Sequence, residues 1–169
     1  MNNRQEVLDR FIKHVVSQAK KNLTTSGKNA SKKLYNSIKG EAKAFPNSIG
    51  IYFDMEDYGF FQDQGVSGIK KKYNTPFSYK TKMPPPSAFD KWTIRRGIAP
   101  RNTKGQFQTR KGLNFAIARS IFEKGIKPSL FFTKPFEAAY KNLPNELIDK
   151  YGLDVIELFD SIMKPNFKK

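Results

Sequence analysis

The sequence contains no cysteine and a single histidine, His14. Disulfides and thiolate metal sites are therefore excluded, and one histidine cannot by itself build a histidine metal site. His14 falls beside the apolar stripe of a predicted helix, which is more typical of a helix surface or core edge than of a catalytic base. No Gly-x-Ser-x-Gly elbow and no phosphate-binding glycine pattern occurs. The sequence thus predicts a protein that is not an enzyme and has no cofactor.

Long apolar runs are also missing. No stretch approaches the ~20 apolar residues that cross a bilayer as a helix, so we expect no membrane contact. The composition is nevertheless 38% hydrophobic and 14% aromatic, which argues against disorder. A chain of 169 residues is long enough to bury a real core within one domain.

Acidic residues are scarce, with 15 Asp and Glu against 31 Lys and Arg, for a formal net charge of +16. The surplus is concentrated in residues 66–111, which carry 12 basic residues and one acidic residue, Asp90. Such a segment favours contact with a polyanion or an acidic partner. A solvated, solubilising surface explains bare charge equally well, so both interpretations stay open.

The N-terminal half of the sequence predicts helices followed by a hairpin. Apolar residues recur at three- and four-residue steps over residues 3–23, which predicts a helix capped by Asn2 or Asn3. Ser31 is positioned to cap a short second helix that faces Leu34, Tyr35 and Ile38 inward. Residues 39–45 and 49–53 flank a turn at 46–48 and predict a β-hairpin. Residues 55–64 predict a helical turn that ends at Gly65.

The central segment predicts an extended, basic excursion. The Pro84-Pro85-Pro86 run excludes a helix or a central strand and leads to Ser87, a candidate cap for a helix over 88–96. Residues 99–111 contain glycine and basic residues but few large apolar ones, which predicts an exposed, mobile loop. We therefore predict one α+β domain over residues 1–169 with residues 66–111 as an extended basic loop.

The C-terminal part of the sequence predicts two further helices. Residues 113–124 show helical periodicity and end at Gly125. Residues 130–132 predict a short extended segment, after which Thr133 is positioned to cap a helix. That helix is predicted to begin at Phe136, to bend or break at Pro144 and to continue to residue 163.

One metal-dependent alternative arises in the predicted hairpin. Glu41 and Lys43 lie two residues apart and therefore on one face of a strand. With Asp54 or Glu56 from the neighbouring strand they offer the carboxylate oxygens that Mg²⁺ prefers in a nuclease. An ordinary surface pair explains the same residues, because this spacing is common in a lysine-rich chain.

A second alternative is nonspecific nucleic-acid binding by residues 70–111. Lysines and arginines neutralise phosphates, and the aromatic residues among them stack on bases. No helix-turn-helix, zinc finger or similar binding motif is present, so direct reading of a base sequence is not predicted. The residues predicted to lie nearest DNA are Arg95, Arg96, Arg101, Lys104, Arg110 and Lys111.

Two segments in this order carry a family resemblance. The first, residues 58–65, reads Tyr-Gly-Phe-Phe-Gln-Asp-Gln-Gly, and the second, residues 125–136, reads Gly-Ile-Lys-Pro-Ser-Leu-Phe-Phe-Thr-Lys-Pro-Phe. With an N-terminal helix and hairpin before them and a helix after them, this layout resembles the minor tail protein Z-like group of neck and tail-completion proteins of long-tailed bacteriophages. The family's usual glutamate is replaced by Asp63 or Gln64, Phe136 stands in place of alanine, and the basic excursion is longer than usual.

The resemblance implies a structural virion protein of the head–tail connector, assembled in the host cytoplasm. It implies a homo-oligomeric ring that contacts neighbouring portal, connector and tail proteins, with packaged DNA close by. The residues expected at subunit or partner interfaces are Tyr58, Phe60, Phe61, Lys70, Lys71, Lys72, Trp92, Phe107, Leu130, Phe131 and Phe132.

Overall fold

A computed structural model describes residues 2–45 and 48–143. The chain divides into two compact units. We call residues 1–63 with 130–169 the core unit, and residues 64–129 the basic unit. The helices and strands, in chain order, are α1 (Asn2–Thr25), α2 (Lys33–Ser37), β1 (Lys39–Phe45), β2 (Ser48–Asp54), α3 (Tyr58–Gln64), β3 (Val66–Ser67), α4 (Asp90–Arg95), α5 (Arg110–Lys124), β4 (Gly125–Ile126) and α6 (Thr133–Tyr140). The predicted α+β class is confirmed.

Helix α1 confirms the first predicted helix. Its apolar residues share one face because they recur every three or four positions, and Leu8, Val15 and Leu23 have no exposed surface. His14 is exposed, in agreement with its interpretation as a surface histidine. The side chains of the two predicted caps, at positions 2 and 3, lie outside the described part of the chain.

Helix α2 is short and is anchored by its apolar side chains. Leu34 and Ile38 are both buried, as predicted. The position before the helix is occupied by Lys32 in the left-handed conformation, with a φ of 54°. The Ser31 hydroxyl accepts a bond from the Lys33 N–H at 3.4 Å, so Ser31 assists the start of the helix from one position further back than predicted.

Strands β1 and β2 confirm the predicted hairpin. They pair antiparallel, with Glu41 opposite Tyr52 and Lys39 opposite Asp54. Ile51 is buried whereas Tyr52 and Asp54 are exposed, as the alternation of side chains along a strand requires. The hairpin therefore covers the core unit with one face and presents a polar face to solvent.

Aromatic rings fill the centre of the core unit. Phe53 from β2 meets Phe132 and Phe136 edge-on, with ring centroids 5.1 Å and 5.9 Å apart. Phe11 from α1 contacts Phe136 at 5.8 Å, and the ring of Tyr140 stacks on Phe136 at 6.0 Å. Edge-to-face pairs of this kind add to the stabilisation that burial alone provides. The rings thus join α1, β2 and α6 into one hydrophobic core.

Helix α6 begins earlier than the sequence predicted, at Thr133 rather than Phe136. The predicted extended segment at residues 130–132 is wrong, since Leu130 has a left-handed φ of 51° and Phe132 is already helical. A buried carboxylate that binds the first N–H groups of the helix is the physical reason for this turn. The predicted continuation through Pro144 to residue 163 lies outside the described residues.

The basic unit consists mainly of helices and turns and contains only a small two-stranded sheet. Strand β3 pairs antiparallel with β4 over two residues each. A 3₁₀ turn over Pro86–Phe89 leads into α4 with no side-chain cap, so the predicted capping role of Ser87 is wrong because this residue lies inside the turn. Helix α5 begins at Arg110, three residues before the prediction, because the Thr109 hydroxyl accepts a bond from the Gly112 N–H.

The segment 66–111 is therefore not an extended loop. It contains β3, the 3₁₀ turn, α4 and the first residues of α5, and it belongs to a compact unit. The prediction of a loop was wrong because it relied on the scarcity of apolar residues, whereas this unit is held largely by backbone and polar hydrogen bonds. Among its residues only Val66 and Ala118 are buried hydrophobic side chains.

Candidate functional site

A buried carboxylate joins the two segments that carry the family resemblance. Asp63, near the end of α3, is fully buried, and its Oδ1 accepts bonds from the N–H groups of Phe132 at 2.8 Å and Thr133 at 3.3 Å. Its other oxygen accepts a short bond from the Thr133 hydroxyl. The Asp63 carbonyl also accepts a bond from the Leu130 N–H at 2.9 Å. The segment at 58–65 thus caps the helix that the segment at 125–136 opens.

The chemistry of this contact follows from unsatisfied groups at a helix start. The first N–H groups of any helix have no hydrogen-bond partner within the helix. A carboxylate accepts bonds from them, and its negative charge interacts favourably with the positive end of the helix dipole. Thr133 was predicted to cap α6 with its own side chain, but its hydroxyl donates to Asp63 instead. Burial raises the pKa of Asp63 above its ordinary value, and the bonds from Thr133 and Phe132 partly offset that rise.

The aromatic residues predicted at interfaces divide into buried and exposed groups. Phe60, Phe131 and Phe132 are buried in the core of this chain, with at most 9% of their surface exposed. These three side chains have almost no exposed surface with which to contact a partner, because they are buried against other residues of the same chain. Tyr58 remains 41% exposed. Phe61 and Leu130 are half-buried.

The lysine triplet at 70–72 has a fixed backbone and exposed side chains. The N–H groups of Lys70 and Lys71 donate to the Glu123 carbonyl at 2.9 Å and 3.2 Å, at the end of α5. The Lys70 ammonium also binds the Glu123 carboxylate at 2.9 Å, and Arg119 reaches the same carboxylate at 3.2 Å. These bonds hold the pKa of Glu123 below its ordinary value. The triplet is therefore a fixed part of the basic unit.

Three glycines allow the backbone segments at 65–68 and 123–128 to approach each other closely. At Gly68 and Gly125 an added Cβ would overlap backbone atoms of the facing segment, and at Gly65 it would meet the Ile126 carbonyl at 2.5 Å. Gly65 and Gly125 also have positive φ values, 76° and 74°, a region that only glycine adopts without strain. Residue 65 was predicted to end a helical turn just before an extended basic loop, but it lies where two backbone segments pack closely against each other.

The charge of the basic unit is far from balanced. Residues 64–129 contain 15 basic and 2 acidic residues, a net charge of +13, whereas the rest of the chain contains 16 basic and 13 acidic residues. The two acidic residues already have polar partners, since Glu123 binds two cations and Asp90 binds the Asn114 amide. Two carboxylates cannot neutralise fifteen cations, so the unit presents a strongly positive surface.

A buried polar cluster holds α4 against α5. Thr93 has no exposed surface and Asn114 has 2%. The Thr93 hydroxyl lies 3.0 Å from the Asp90 carbonyl and 3.4 Å from Asn114 Oδ1, while Asn114 Nδ2 donates a short bond to the Asp90 carboxylate. Because Thr93 faces inward, its helix neighbours Trp92 and Arg95 are exposed. Sequence reasoning missed Asn114, although a polar residue between Leu113 and Phe115 in α5 is the signal that could have identified it.

Residues 100–108 form an ordered hairpin instead of the predicted mobile loop. The Asn102 N–H donates to the Gln106 carbonyl, and the Asn102 side chain accepts bonds from the N–H groups of Lys104 and Gln106, all at 2.9–3.0 Å. The Arg101 guanidinium lies 4.1 Å from the centre of the Phe107 ring and donates to the Gly105 carbonyl at 3.1 Å. Phe107 is 71% exposed, so this stacked pair lies at the surface.

All the residues predicted to lie near DNA are in the basic unit and are exposed. Arg95 and Arg96 lie at the end of α4, Arg101 and Lys104 lie in the hairpin, and α5 begins with Arg110 and the next residue. The six residues of this set are Arg95, Arg96, Arg101, Lys104, Arg110 and Lys111.

The geometry of the β-hairpin weakens the metal-dependent alternative. Glu41 and Lys43 do share a face, but the ammonium of Lys43 lies 2.7 Å from the carboxylate of Glu41. Asp54 pairs with Lys39, one register step away from Glu41 on that face. Among residues 2–45 and 48–143, no group of three or more His, Cys, Asp or Glu is arranged to hold a metal. The pair therefore has the geometry of an ordinary surface ion pair.

A second cationic feature lies in the core unit. A shallow groove of about 840 Å³ beside α1 is lined by the lysines at 13, 20, 21 and 39. The Lys20 ammonium lies over the Tyr35 ring at 5.3 Å. This groove provides a surface of similar charge against which the basic unit can be compared experimentally.

Comparisons with known proteins gave no relatives. Neither the protein-family models, the curated proteins nor the solved structures include a match to this chain. Within the described ranges, no helix has the length and apolar character needed to cross a membrane.

Proposed function

We propose that this chain is a structural, non-enzymatic protein of the head–tail connector of a long-tailed bacteriophage. It forms a homo-oligomeric ring in the virion that joins the portal or head to the tail, after assembly in the host cytoplasm. Its partners are further copies of itself and neighbouring portal, connector and tail proteins. This proposal extends the family resemblance of residues 58–65 and 125–136.

One observation supports this proposal above the others. The two segments that resemble the neck and tail-completion proteins are 60 residues apart in the sequence, yet they meet through Asp63 and Thr133. The resemblance includes an acidic residue at the end of the first segment, and this carboxylate caps the helix of the second. Two segments that contact each other in this chain support the resemblance better than two unconnected short matches would.

The exposed aromatic residues supply candidate contacts between copies. Interfaces are enriched in large aromatic side chains that remain exposed in the free subunit. Tyr58, Trp92 and Phe107 are 41%, 39% and 71% exposed, respectively. These residues are thus the exposed aromatic members of the predicted interface, and the exposed lysine triplet at 70–72 adds its polar members.

The proposal is tested on purified phage particles whose genome encodes this sequence. Quantitative mass spectrometry is expected to find peptides of the chain at a fixed copy number per particle, and cryo-electron microscopy to place the chain as a ring between head and tail. Complete absence of the chain from intact, tailed particles would contradict the proposal.

A complementation experiment tests the interface residues. The double substitution of Trp92→Ala and Phe107→Ala is expected to leave the fold intact and to reduce incorporation of the chain into particles. Phe115→Ala is the matched control, because Phe115 is also aromatic, lies in the same unit and is 50% exposed but is not in the predicted set. Equal incorporation of all three chains would remove these two residues from the interface.

A further inference from the structure

We propose that the basic unit binds the phosphate backbone of nucleic acid, without sequence preference, through a defined cationic surface. This surface is carried by α4, the hairpin at 100–108 and the first turn of α5. It consists of Lys91, Arg95, Arg101, Lys104, Arg110 and Lys111, all of which are exposed.

Charge complementarity is the first argument for this partner. The basic unit holds 15 cations and 2 carboxylates within 66 residues. Like charges at this density repel one another, and a polyanion relieves that repulsion while releasing its own counterions. Nucleic acid supplies one phosphate charge per nucleotide at regular spacing, which matches an extended cationic surface better than isolated carboxylates do.

The exposed aromatic rings distinguish nucleic acid from an acidic protein. Trp92 lies between Lys91 and Arg95 on α4, and Phe107 lies under the Arg101 guanidinium. Surfaces that bind single strands combine cations for the phosphates with aromatic faces on which bases stack. An acidic peptide offers charge but no flat bases for these rings.

The geometry of Arg101 leaves it prepared for a phosphate. A guanidinium has five N–H donors, and the bond to the Gly105 carbonyl uses one of them. The guanidinium also lies over the Phe107 ring, with its central carbon 4.1 Å from the ring centre, so two contacts restrict its position. An arginine held in this way loses less conformational freedom when it binds an oxyanion.

The start of α5 gives further support. Cations are unfavourable at a helix N-terminus because the helix dipole is positive there. Nevertheless α5 begins with Arg110 and Lys111 and has no acidic residue in its first turn. A bound phosphate would be favoured both by these cations and by the dipole. This arrangement adds to the charge argument of the whole unit and does not replace it.

This inference does not depend on the proposed connector function. A chain that assembles into particles but does not bind nucleic acid would refute only the inference. A chain that binds nucleic acid but is absent from particles would refute only the connector proposal.

The binding experiment uses the intact purified chain and two readouts. Fluorescence anisotropy follows labelled single-stranded and duplex oligonucleotides of mixed sequence over a range of salt concentrations. The emission of Trp92, the only tryptophan of the chain, reports on the proposed surface itself. We expect binding to both probes that weakens steeply with salt, and quenching of Trp92 by the single strand, whose bases are free to stack.

Two triple variants with equal loss of charge locate the binding surface. The first combines Arg101→Gln, Lys104→Gln and Lys111→Gln. The second combines Lys13→Gln, Lys21→Gln and Lys39→Gln in the groove of the core unit. For each phosphate that the first variant no longer neutralises, we expect duplex affinity at 0.1 M salt to fall by about tenfold and the salt slope to fall by about 0.9. The second is expected to bind almost as tightly as the unchanged chain.

Three results would overturn the inference. The first is the absence of salt-dependent binding to either oligonucleotide. The second is an equal or larger loss of affinity in the groove variant, which would assign the binding to the core unit. The third is equally tight binding of polyglutamate with the same change in Trp92 emission, which would favour an acidic protein partner. Duplex binding without Trp92 quenching would still support backbone contact, provided that the first variant weakens it.

Discussion

The two units of this chain are stabilised in different ways. Among its described residues the core unit has a cluster of 17 buried hydrophobic side chains, whereas Val66 and Ala118 are the buried hydrophobic residues of the basic unit. The basic unit instead buries Ser67, Thr93 and Asn114, and it carries most of the net charge of the chain. Hydrophobic burial thus stabilises one unit, while backbone and polar bonds hold the other against its own charge repulsion.

This difference bears on function. A surface that concentrates unbalanced charge loses folding stability through self-repulsion, and that loss is recovered when an oppositely charged partner binds. The core unit has little need of such a partner. We therefore expect changes in the core unit to act mainly on stability, and changes on the surface of the basic unit to act mainly on binding.

The largest expected effect is the removal of a central aromatic ring. Phe136 is completely buried and contacts the rings of Phe11, Phe53 and Tyr140. Phe136→Ala is expected to lower the free energy of unfolding by about 3–5 kcal/mol, measured by urea denaturation followed by circular dichroism. Phe107→Ala, which truncates an exposed ring of the basic unit, is the control and is expected to change it by less than about 0.5 kcal/mol. Similar losses from both substitutions would contradict the comparison.

The next effect is expected at Asp63. Asp63→Ala leaves the Phe132 and Thr133 N–H groups buried without an acceptor, which is expected to cost about 3 kcal/mol in unfolding free energy. Asp63→Asn keeps an oxygen for both N–H groups, and its amide can donate to the Thr133 hydroxyl. We expect it to cost less than about 1 kcal/mol. Chemical denaturation at neutral pH distinguishes the two, and equal losses would show that the charge rather than the geometry makes the cap.

The pH dependence of stability sharpens this test. Because burial raises the pKa of Asp63, the folded chain holds its proton more tightly than the unfolded chain. The Asp63 contribution to the unfolding free energy is therefore largest below the unfolded pKa, falls as the pH rises through the folded pKa and is constant above it. Asp63→Asn is expected to remove this contribution when the two unfolding free energies are compared across that range.

A smaller effect is expected where the backbone segments at 65–68 and 123–128 pack closely in the basic unit. Gly125→Ala forces a side chain into a positive-φ position and against the backbone of Val66 and Gly68. We expect a loss of about 2 kcal/mol in unfolding free energy, measured through Trp92 fluorescence. Gly112→Ala is the matched control within α5, where an added Cβ meets only the Thr109 hydroxyl at 3.3 Å. It is expected to be neutral or to stabilise by up to about 1 kcal/mol.

The smallest expected effect is that of salt on the two units. Raising sodium chloride from about 20 mM to about 300 mM screens the repulsion among the cations of the basic unit. We expect the unfolding transition reported by Trp92 to shift upward by a few degrees. Circular dichroism is expected to show less change for the part of the transition that comes from the core unit. A uniform response of both signals would show that charge does not distinguish the units.

The sequence predicted α1 and the hairpin of β1 and β2 well because their signals are local and periodic. The apolar stripe of α1 and the alternation of Ile51, Tyr52 and Phe53 each specify an element without reference to the rest of the chain. The start of α6 could not be predicted in this way. It depends on a carboxylate 70 positions earlier in the chain, which satisfies the first N–H groups of the helix.

The basic unit was predicted less well because its structure, like the start of α6, depends on contacts between residues far apart in the sequence. Its order comes from contacts such as those of Lys70 and Lys71 with the Glu123 carbonyl, which leave no periodic pattern in the sequence. Composition identified the charge of the candidate surface correctly but predicted a mobile loop. Likewise, burial in the chain's own core, rather than in an interface, could not be read from the aromatic residues at 131 and 132 alone.

Hydrogen exchange measured by mass spectrometry tests the division into two units most directly. This division predicts slow exchange in α1, β2 and α6, faster exchange over much of residues 64–129, and added protection at residues 90–118 when a single-stranded oligonucleotide is present. Protection that is uniform across both units, and unchanged in the basic unit by the oligonucleotide, would contradict it.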